Sequence, residues 1–529
     1  MADSPRVSTQ TASTAAQLEQ INKEDASTTA LDNPDPFLVH FDEGDSANPK
    51  NWSFAKKWYL TLAGGLLVLN ATFSSSAPSA LVPIFMEEFG ISQEVGTLTI
   101  SLFVCGYCVG PLIWGPLSEQ YGRRPIFIIS FFIYMCFQIG CALSQNITSI
   151  LIFRFLGGTF AAAPLANSGA LISDIWDARE RGTALAVFTV APFAGPGIGP
   201  VVAGYLVVAG VSWHWLFWIL TIFASPAGVC WLQIVFTIPE TYSPVLLAKK
   251  AKEIRKRTGD ERYHAAIESQ NMTLSQRMET ILARPFKVLF REPMLIAITL
   301  YMSFVYGCIY LLFEAYPVVF TKGHNLNAGV SGLMFLPLPI GGFIAVATYI
   351  LFFNPSYERK VQECAPNPVP PEFRLRVAMV SAPFFAVSFF WFAWTSFPSI
   401  SLWVPMMSGA LLGWSICLIF VRCHNLHAGL QLTTVSKLAL FNYIIDAYLA
   451  VAASALAAST VVRSLFGAAF PLFATQMYDR LGPEWASSLL GFIALIMMPI
   501  PFVLSRYGPI LRLKSKYAPS GPLLSSSPA

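Results

Sequence analysis

The sequence predicts an all-α membrane protein with twelve transmembrane helices in two pseudo-symmetric six-helix bundles. Of its 529 residues, 54% are hydrophobic and only 12% are charged, whereas soluble domains average about 25% charged residues. With a mean hydropathy of +0.55, the chain has too few charged groups to cover a globular surface. Most of its surface must therefore face lipid.

Twelve apolar stretches are long enough to cross a bilayer core of about 30 Å as helices. They lie at residues 58–81, 97–116, 125–144, 148–172, 183–208, 214–237, 293–320, 330–353, 376–396, 401–421, 450–474 and 485–507. These spans predict an N-terminal bundle over residues 58–237 and a C-terminal bundle over residues 293–507. The polar ends predict a disordered N-terminal tail, 1–57, and a C-terminal tail, 508–529.

The distribution of basic residues predicts that both termini are cytoplasmic. With the N-terminus inside, the outward loops contain only Lys322 and Arg480, and nearly all other Lys and Arg residues lie in cytoplasmic connections. The longest connection, 238–292, contains the run KKAKEIRKR, which is typical of a solvated helix facing anionic lipid headgroups. One outward sequon begins at Asn146, so we consider this residue a glycosylation candidate in a loop tight against the membrane.

Composition and motif content exclude several functional classes. The net charge of +4 is small and dispersed, which argues against a nucleic-acid partner. The nine cysteines are scattered, mostly within apolar runs, and predict no metal site. No phosphate-binding G-x-x-x-x-G-K-[ST] loop occurs, so we expect no cofactor. A polytopic membrane enzyme is a remote alternative, because it would need clustered His, Asp or Cys at a membrane face.

The connection between the second and third spans contains the string GPLSEQYGRRPIF, which begins at Gly115. Gly115 permits close helix approach, and Gly122 allows a tight turn. Glu119, at the cytoplasmic end of the span, lies beside this turn and the cations Arg123 and Arg124. The arrangement predicts an ionic latch that breaks and re-forms when helices slide. Ordinary positive-inside flanking is the alternative interpretation.

This string resembles the signature G-x-L-x-D-R-x-G-R-R/K of the major facilitator superfamily. Glu119 stands where the family usually has Asp, and Gln120 replaces an Arg that is one partner of the family's charge relay. Four further strings are similar to those of fungal twelve-span drug:proton antiporters: NPKNWSFAKKW, WHWLFWI, PETYSPVLLAKKAKEIRK and ASALAASTVVRSLFGAAFPLF. The resemblance covers residues 48–510. It implies the major facilitator fold, with a central cavity and alternating access by rocking of the two halves.

The fifth span contains the stretch APFAGPGIGPVVAGY, which is rich in Gly and Pro although both disfavour helix interiors. Small residues recur every four positions at Ala191, Gly195, Gly199 and Ala203. This spacing predicts a smooth face against which a neighbouring helix packs, and the prolines favour a kink. The stretch resembles the superfamily's antiporter motif, G-x-x-x-G-P-x-x-G-G, which implies a seal and bending point between the halves of an exporter. A packing role is the compatible alternative. The motif residues are Gly195, Pro196, Gly199, Pro200 and Gly204.

Charged residues inside apolar spans are functional candidates, since such a charge costs at least about 2.5–3.5 kcal/mol on insertion scales. Arg154 matches the arginine of the superfamily's second motif, which the resemblance links to proton transfer; snorkelling to the outer interface is the alternative.

Tyr306, Tyr310 and Glu314 are spaced i, i+4, i+8 on one stripe of the seventh span. Two rings with a carboxylate suit an amphipathic cation, and a buried Glu314 would be able to exchange a proton. An acid satisfied by a neighbouring helix is the alternative.

Other polar residues in the spans are candidates for lining the substrate cavity. Asn70 and Ser74 are one helical turn apart in the first span, which suggests an aqueous path. Asp446 lies before the eleventh span, and Arg463 lies within it. These two residues are either functional or a structural pair.

Residues 422–440, RCHNLHAGLQLTTVSKLAL, are too polar to span a bilayer. They are either a cytoplasmic loop or an unspliced intron carried into the gene model.

Together these features predict a proton-coupled efflux transporter, an antiporter that exports small amphipathic organic compounds such as drugs, toxins or secondary metabolites. Arg154 and Glu314 are its predicted proton-coupling residues. A transporter of polyamines or other organic cations in the same superfamily is the alternative. We expect a monomer in the lipid bilayer of the plasma membrane, with the vacuole as the alternative location. The proton gradient would drive transport.

Overall fold

The computed structural model describes most of the chain. The described residues are 35–42, 44–177, 180–224, 230–268, 279–364, 371–420, 422–423, 437–438, 440, 443–444, 447–448 and 451–515. They form two compact units. The smaller unit consists of described residues up to Asp45 together with those from Ser243 to 268, and the larger unit contains the remainder.

The larger unit is built almost wholly from α-helices. In its N-terminal half these are α1 (Phe54–Ser76), α2 (Val82–Phe89), α3 (Gln93–Tyr121), α4 (Arg123–Ala142), α5 (Ile147–Ile175), α6 (Arg181–Thr189), α7 (Ala191–Val208), α8 (His214–Ala224) and α9 (Cys230–Thr237). Helix α10 (Ser243–Thr258) belongs to the smaller unit. The C-terminal half contains α11 (Arg284–Arg291), α12 (Pro293–Tyr316), α13 (Ala328–Leu333), α14 (Pro337–Thr348), α15 (Asn354–Cys364), α16 (Leu375–Thr395), α17 (Trp403–Phe420), α18 (Ala452–Met497) and α19 (Pro499–Lys514).

Short turns and one small strand pair complete the described elements. The 3₁₀ turns are Pro49–Asn51, Ala77–Leu81 and Pro371–Arg374, and the π-helical turns are Glu279–Ala283, Pro317–Gly323 and Tyr349–Phe353. Strands β1 (Arg422–Cys423) and β2 (Lys437–Leu438) pair antiparallel. They lie at the two ends of the polar stretch 422–440, whose interior, 424–436, lies outside the described residues.

By length and composition, ten helices in the described part of the chain can cross a membrane. One of them, Ser454–Leu513, contains residues 454–474 of the eleventh predicted span and all of the twelfth, and Gly482 breaks it with a φ of +78°. The predicted span 214–237 comprises α8 and α9, on either side of residues outside the description. The prediction of an all-α membrane protein is confirmed.

Two predicted boundaries differ from those of the helices. The connection between the predicted spans 58–81 and 97–116 begins as helix α2, because apolar residues continue to Phe89, where Gly90 ends the helix with a φ of +62°. Helix α19 continues to Lys514, so the first seven residues of the predicted C-terminal tail, 508–514, are helical.

The predicted disorder over residues 1–57 is contradicted for the described residues from 35 onward. In the smaller unit the Val39 N–H donates to the His264 carbonyl at 3.0 Å, and the His264 N–H donates to the Phe37 carbonyl at 3.0 Å. The Lys250 ammonium donates to Asp42 and Asp45, both at 2.9 Å, and these hydrogen bonds raise the pKa of Lys250. Although the segment is polar in composition, Phe37 packs against Tyr263, and Val39 is buried with Ala251 and Ala265.

Contacts of glycine with backbone set the helix spacing in the N-terminal half. Where α3 crosses α5, a Cβ on Gly158 would clash with the Phe103 carbonyl oxygen, and a Cβ on Gly106 would lie 2.5 Å from the Thr159 nitrogen. By contrast, a Cβ on Gly115 would meet nothing within 4 Å. The close helix approach predicted at Gly115 is therefore wrong; it occurs at Gly106 and Gly158.

We expect Gly158→Ala to destabilise the protein by about 1–3 kcal/mol, the usual cost of overpacking, because the added methyl group meets rigid backbone. Gly115→Ala is the matched control and should leave stability unchanged or slightly higher, since Ala favours helix over Gly. The midpoint of thermal unfolding of detergent-purified protein measures both. Equal midpoints for the two variants would contradict the packing described above.

Candidate functional site

Arg154, on α5, lies inside the N-terminal half and is only 1% exposed. Its Nε donates to the Thr99 carbonyl at 2.7 Å, and its Nη2 donates to the Ser74 carbonyl at 2.9 Å. The guanidinium also lies 4.0 Å from the centre of the Phe103 ring. Snorkelling to the interface is therefore wrong for Arg154. Within the described chain its hydrogen-bond partners are neutral oxygens, and no described ion pair includes it.

The predicted polar face of the first span is buried against α4 and α5. The Gln138 amide donates to Ser74 Oγ at 2.6 Å, and the Tyr134 hydroxyl donates to Asn70 Oδ1 at 3.0 Å. Ser74 and Asn70 are both fully buried. Asn70 and Ser74 thus belong to a network inside the N-terminal half that also holds Arg154. Sequence reasoning missed Gln138 and Tyr134, because nothing in the sequence relates the rotation of α4 to that of α1.

A group of hydroxyls links the two halves. Tyr310 on α12 places its hydroxyl 3.1 Å from Ser75 Oγ on α1, and Tyr306 donates to the Tyr310 hydroxyl at 3.4 Å. The Arg463 guanidinium on α18 lies 4.7 Å from the centre of the Tyr306 ring. Ser75, Tyr306 and Tyr310 are called the hydroxyl cluster below. Arg463 flanks it from the C-terminal half.

Glu314 lies one helical turn beyond Tyr310, yet its carboxylate contacts other residues. It is 5% exposed and accepts hydrogen bonds from the Thr97 hydroxyl at 3.3 Å and the Thr475 hydroxyl at 3.2 Å. The Gln93 amide lies 3.5 Å from the same carboxylate and donates to Thr475 Oγ1 at 2.9 Å. Glu314 is therefore an acid held between α3 of one half and α12 and α18 of the other.

The remaining cavity candidate, Asp446, lies outside the described residues. Asn146 is exposed and caps α5, since its Oδ1 accepts the Ser149 N–H at 2.8 Å; its glycosylation stays a prediction. No group of three or more His, Cys, Asp or Glu side chains in the part of the chain searched could hold a metal ion.

The turn between α3 and α4 forms around the carboxylate of Glu240, which no sequence motif had indicated as a candidate. Gly122 has a φ of +98°, and a Cβ there would clash with the Glu240 carboxylate. Glu240 accepts the backbone N–H of Arg123 at 2.9 Å and that of Arg124 at 3.3 Å. These N–H groups begin helix α4, where an anion interacts favourably with the helix dipole. Gly122 is thus needed both for its backbone conformation and for the space it leaves.

The Arg123 side chain forms the predicted type of ion pair, but with a different acid. Its Nε lies 3.2 Å from Asp174 Oδ2 at the end of α5, and its guanidinium packs 4.6 Å from the centre of the Tyr242 ring. Glu119 is exposed, and no described hydrogen bond or ion pair includes it. The prediction of Glu119 as the partner of the arginines is therefore wrong. The exposed Arg124 donates instead to the Val235 carbonyl at 2.9 Å.

Helix α7 uses two faces. Gly195 and Gly199 contact α1 of the same half, where added Cβ atoms would clash with Thr72 Oγ1 and Ser76 Oγ. The other face meets the C-terminal half: a Cβ on Gly204 would clash with the Ala328 carbonyl oxygen. The smooth face predicted from the four-residue spacing therefore packs against a helix of the same half. Contacts between the halves use the intervening face, including Pro200, whose carbonyl oxygen lies close to Gly332; Pro196 lies in the interior of α7.

Comparison with known proteins identifies the class of this chain. A family model described as Major Facilitator Superfamily matches residues 64–439. The chain is 40% identical over 485 residues to "Efflux pump FUBT" of Fusarium oxysporum, covering 91% of this chain and 78% of that protein. It is 40% identical over 485 residues to the "multidrug transporter mdrA" of Aspergillus fumigatus, covering 92% and 76%. It is also 40% identical over 489 residues to the "Citrinin biosynthesis cluster MFS transporter mrr1" of Monascus ruber, covering 92% and 93%.

Solved structures share the same fold. The proton:xylose symporter XylE superposes with a TM-score of 0.57 at 12% identity, covering 88% of this chain and all of that one. The human organic anion transporter TETRAN superposes with a TM-score of 0.53 at 16% identity, covering 84% and 99%. The chain belongs to the Major Facilitator Superfamily. It is a multi-pass membrane transporter, and the predicted family is confirmed.

We expect Glu240→Gln to lower the thermal midpoint, because the variant loses the negative charge that holds two N–H groups of α4. Hydrogen bonds to charged groups contribute about 1.5–3 kcal/mol. Glu119→Gln makes the same chemical change on the neighbouring helix end and should have little effect. A larger loss for Glu119→Gln than for Glu240→Gln, measured on purified protein, would restore the sequence-based assignment.

Proposed function

We propose that this protein is a proton-coupled efflux transporter that exports small amphipathic organic compounds. The observation that carries the proposal is Glu314, a buried acid at the contact between the two halves. Fungal relatives named as an efflux pump, as a multidrug transporter and as the transporter of a citrinin biosynthesis cluster support export. The proposal includes a monomer in the plasma membrane, both termini in the cytoplasm, and the proton gradient as the energy source.

In the proposed cycle, Glu314 controls the outer contact between the halves. Its ionised carboxylate accepts charge-assisted hydrogen bonds from Thr97 and Thr475, and such bonds are about twice as strong as neutral ones. A proton from outside removes that charge and weakens the contact, so the halves separate at the outer end and the substrate leaves. Loss of the proton to the cytoplasm re-forms the contact and restores affinity.

Arg154 links this acid to the inside of the N-terminal half. It binds the Thr99 carbonyl, two residues along α3 from Thr97, which binds Glu314. It also binds the Ser74 carbonyl on α1. The fixed cation therefore ties the movement of α3 to that of α1, and we propose that α1 and α3 respond together when Glu314 gains or loses its proton.

The contacts around Gly122 would keep the N-terminal half rigid during rocking. Arg123 joins α4 to the end of α5 through Asp174, and Glu240, just after α9, caps α4. We propose that these contacts, unlike the breaking and re-forming latch expected from the sequence, persist throughout the cycle on the cytoplasmic side of the N-terminal half. The bundles 58–237 and 293–507 are then the two bodies that rock against each other.

Sealed vesicles with an imposed pH gradient test the function. Separate samples contain a neutral amphiphile, a hydrophobic cation and a polyamine. Gradient-dependent movement of the amphiphiles, abolished by an uncoupler, is the expected result. Movement of the polyamine alone would favour the polyamine alternative, and gradient-independent movement would refute proton coupling.

In the same assay, Glu314→Gln should reduce gradient-driven transport to the level of protein-free vesicles, because Gln keeps the size of the side chain but cannot exchange a proton. Glu87→Gln is the matched control: Glu87 is exposed on α2, and its variant should transport normally. Normal pumping by Glu314→Gln against a gradient would remove this residue from the mechanism.

A further inference from the structure

We infer that the hydroxyl cluster binds an anionic group, so that amphipathic organic acids, which carry a carboxylate or a similar oxyanion, are the compounds that the protein binds most tightly among those it exports. This inference rests on the proposed function and specifies its substrate class. It replaces the expectation from the sequence that Tyr306, Tyr310 and Glu314 bind an amphipathic cation.

The hydroxyl cluster lies between two arginines, one from each half. On one side, the Arg154 Nη2 lies 3.4 Å from the Ser75 carbonyl oxygen, and the Ser75 hydroxyl lies 3.1 Å from that of Tyr310. On the other side, the Arg463 guanidinium lies over the ring of Tyr306, whose hydroxyl contacts that of Tyr310. A continuous series of contacts therefore connects the two guanidiniums through three hydroxyl groups.

The charge balance at this position favours an anion. Arg154 is buried, and its described hydrogen-bond partners are carbonyl and hydroxyl oxygens. A buried cation is costly to keep without a counter-ion. The nearest described acid on this stripe, Glu314, has its carboxylate engaged by Thr97, Thr475 and Gln93.

The hydroxyl groups suit an anion chemically. Ser75 and Tyr310 are within hydrogen-bond distance of each other, and either can be the donor. An oxyanion placed beside them accepts from both, and such bonds are shorter and stronger than those between neutral groups. The rings of Tyr306 and Tyr310, whose centres lie 5.1 Å apart, provide aromatic surface beside these hydroxyls for an amphipathic body. A bound ammonium would instead add a second positive charge beside the buried Arg154 guanidinium, whose described hydrogen-bond partners are neutral oxygens.

Binding of three probes with one apolar body tests the inference: naphthalene carboxylate, naphthalene carboxamide and naphthyl trimethylammonium. Calorimetric titration of the full-length protein in detergent, near neutral pH, measures the affinities without a pH gradient. We expect the carboxylate to bind at least about tenfold more tightly than the other two, a difference of about 1.4 kcal/mol. Equal affinities, or tighter binding of the ammonium, would overturn the inference.

Two matched variants locate the site. Tyr310→Phe removes a hydroxyl of the cluster and should weaken carboxylate binding severalfold while leaving carboxamide binding unchanged. Tyr301→Phe removes another buried hydroxyl of α12, one with no hydrogen-bond partner in the described chain, and should change neither affinity. If Tyr310→Phe binds the carboxylate as tightly as the parent protein, the hydroxyl cluster is not the anion site.

The outcomes separate this inference from the proposed function. If no probe binds in a preparation that still moves a neutral amphiphile along a pH gradient, the anion site is wrong and the transport function stands. If the carboxylate binds preferentially but no compound moves in response to the gradient, the anion site stands and proton-coupled export is wrong.

Discussion

The guanidinium of Arg154 has to obtain its hydrogen bonds from the protein, because the bilayer core offers none. It does so by reaching backbone carbonyls of Ser74 on α1 and Thr99 on α3, both of which pack beside α5. These contacts hold three helices in one relative position around a single charge. The hydroxyl of Ser75 and the Thr97 that binds Glu314 are placed by the same helices, so these two polar contacts with the C-terminal half are positioned through this arginine.

The two halves meet through a few polar contacts and through close packing of helix backbones, and this combination suits a protein that must change shape. Close backbone contacts, such as Gly204 against Ala328, depend on shape and not on charge. The acid Glu314, by contrast, is held by a few hydrogen bonds whose strength depends on its charge. Packing thus makes the contact specific, while the carboxylate makes it sensitive to protonation in the proposed cycle.

Sequence motifs located the important regions more reliably than the interactions within them. The string around Gly122 does contain an ion-paired arginine, but the acids that bind it, Asp174 and Glu240, come from the ends of other helices. Glu119 was the obvious partner only because it is near in sequence. Similarly, the spacing of Gly195 and Gly199 indicated a packed helix face but not which helix it meets, because two neighbours lie on opposite sides of α7.

The sequence by itself determined the fold class, the family and most of the membrane helices. The length of an apolar run and the positions of charges are local properties of the sequence, and they decide which segments are stable in the bilayer. It also located Arg154 and Glu314 as charges that require an explanation. Only the tertiary structure decided what those charges contact. The partners of Glu314 are more than 150 residues away in sequence, and the rotation and crossing of helices, set by side-chain packing across the whole bundle, bring them together.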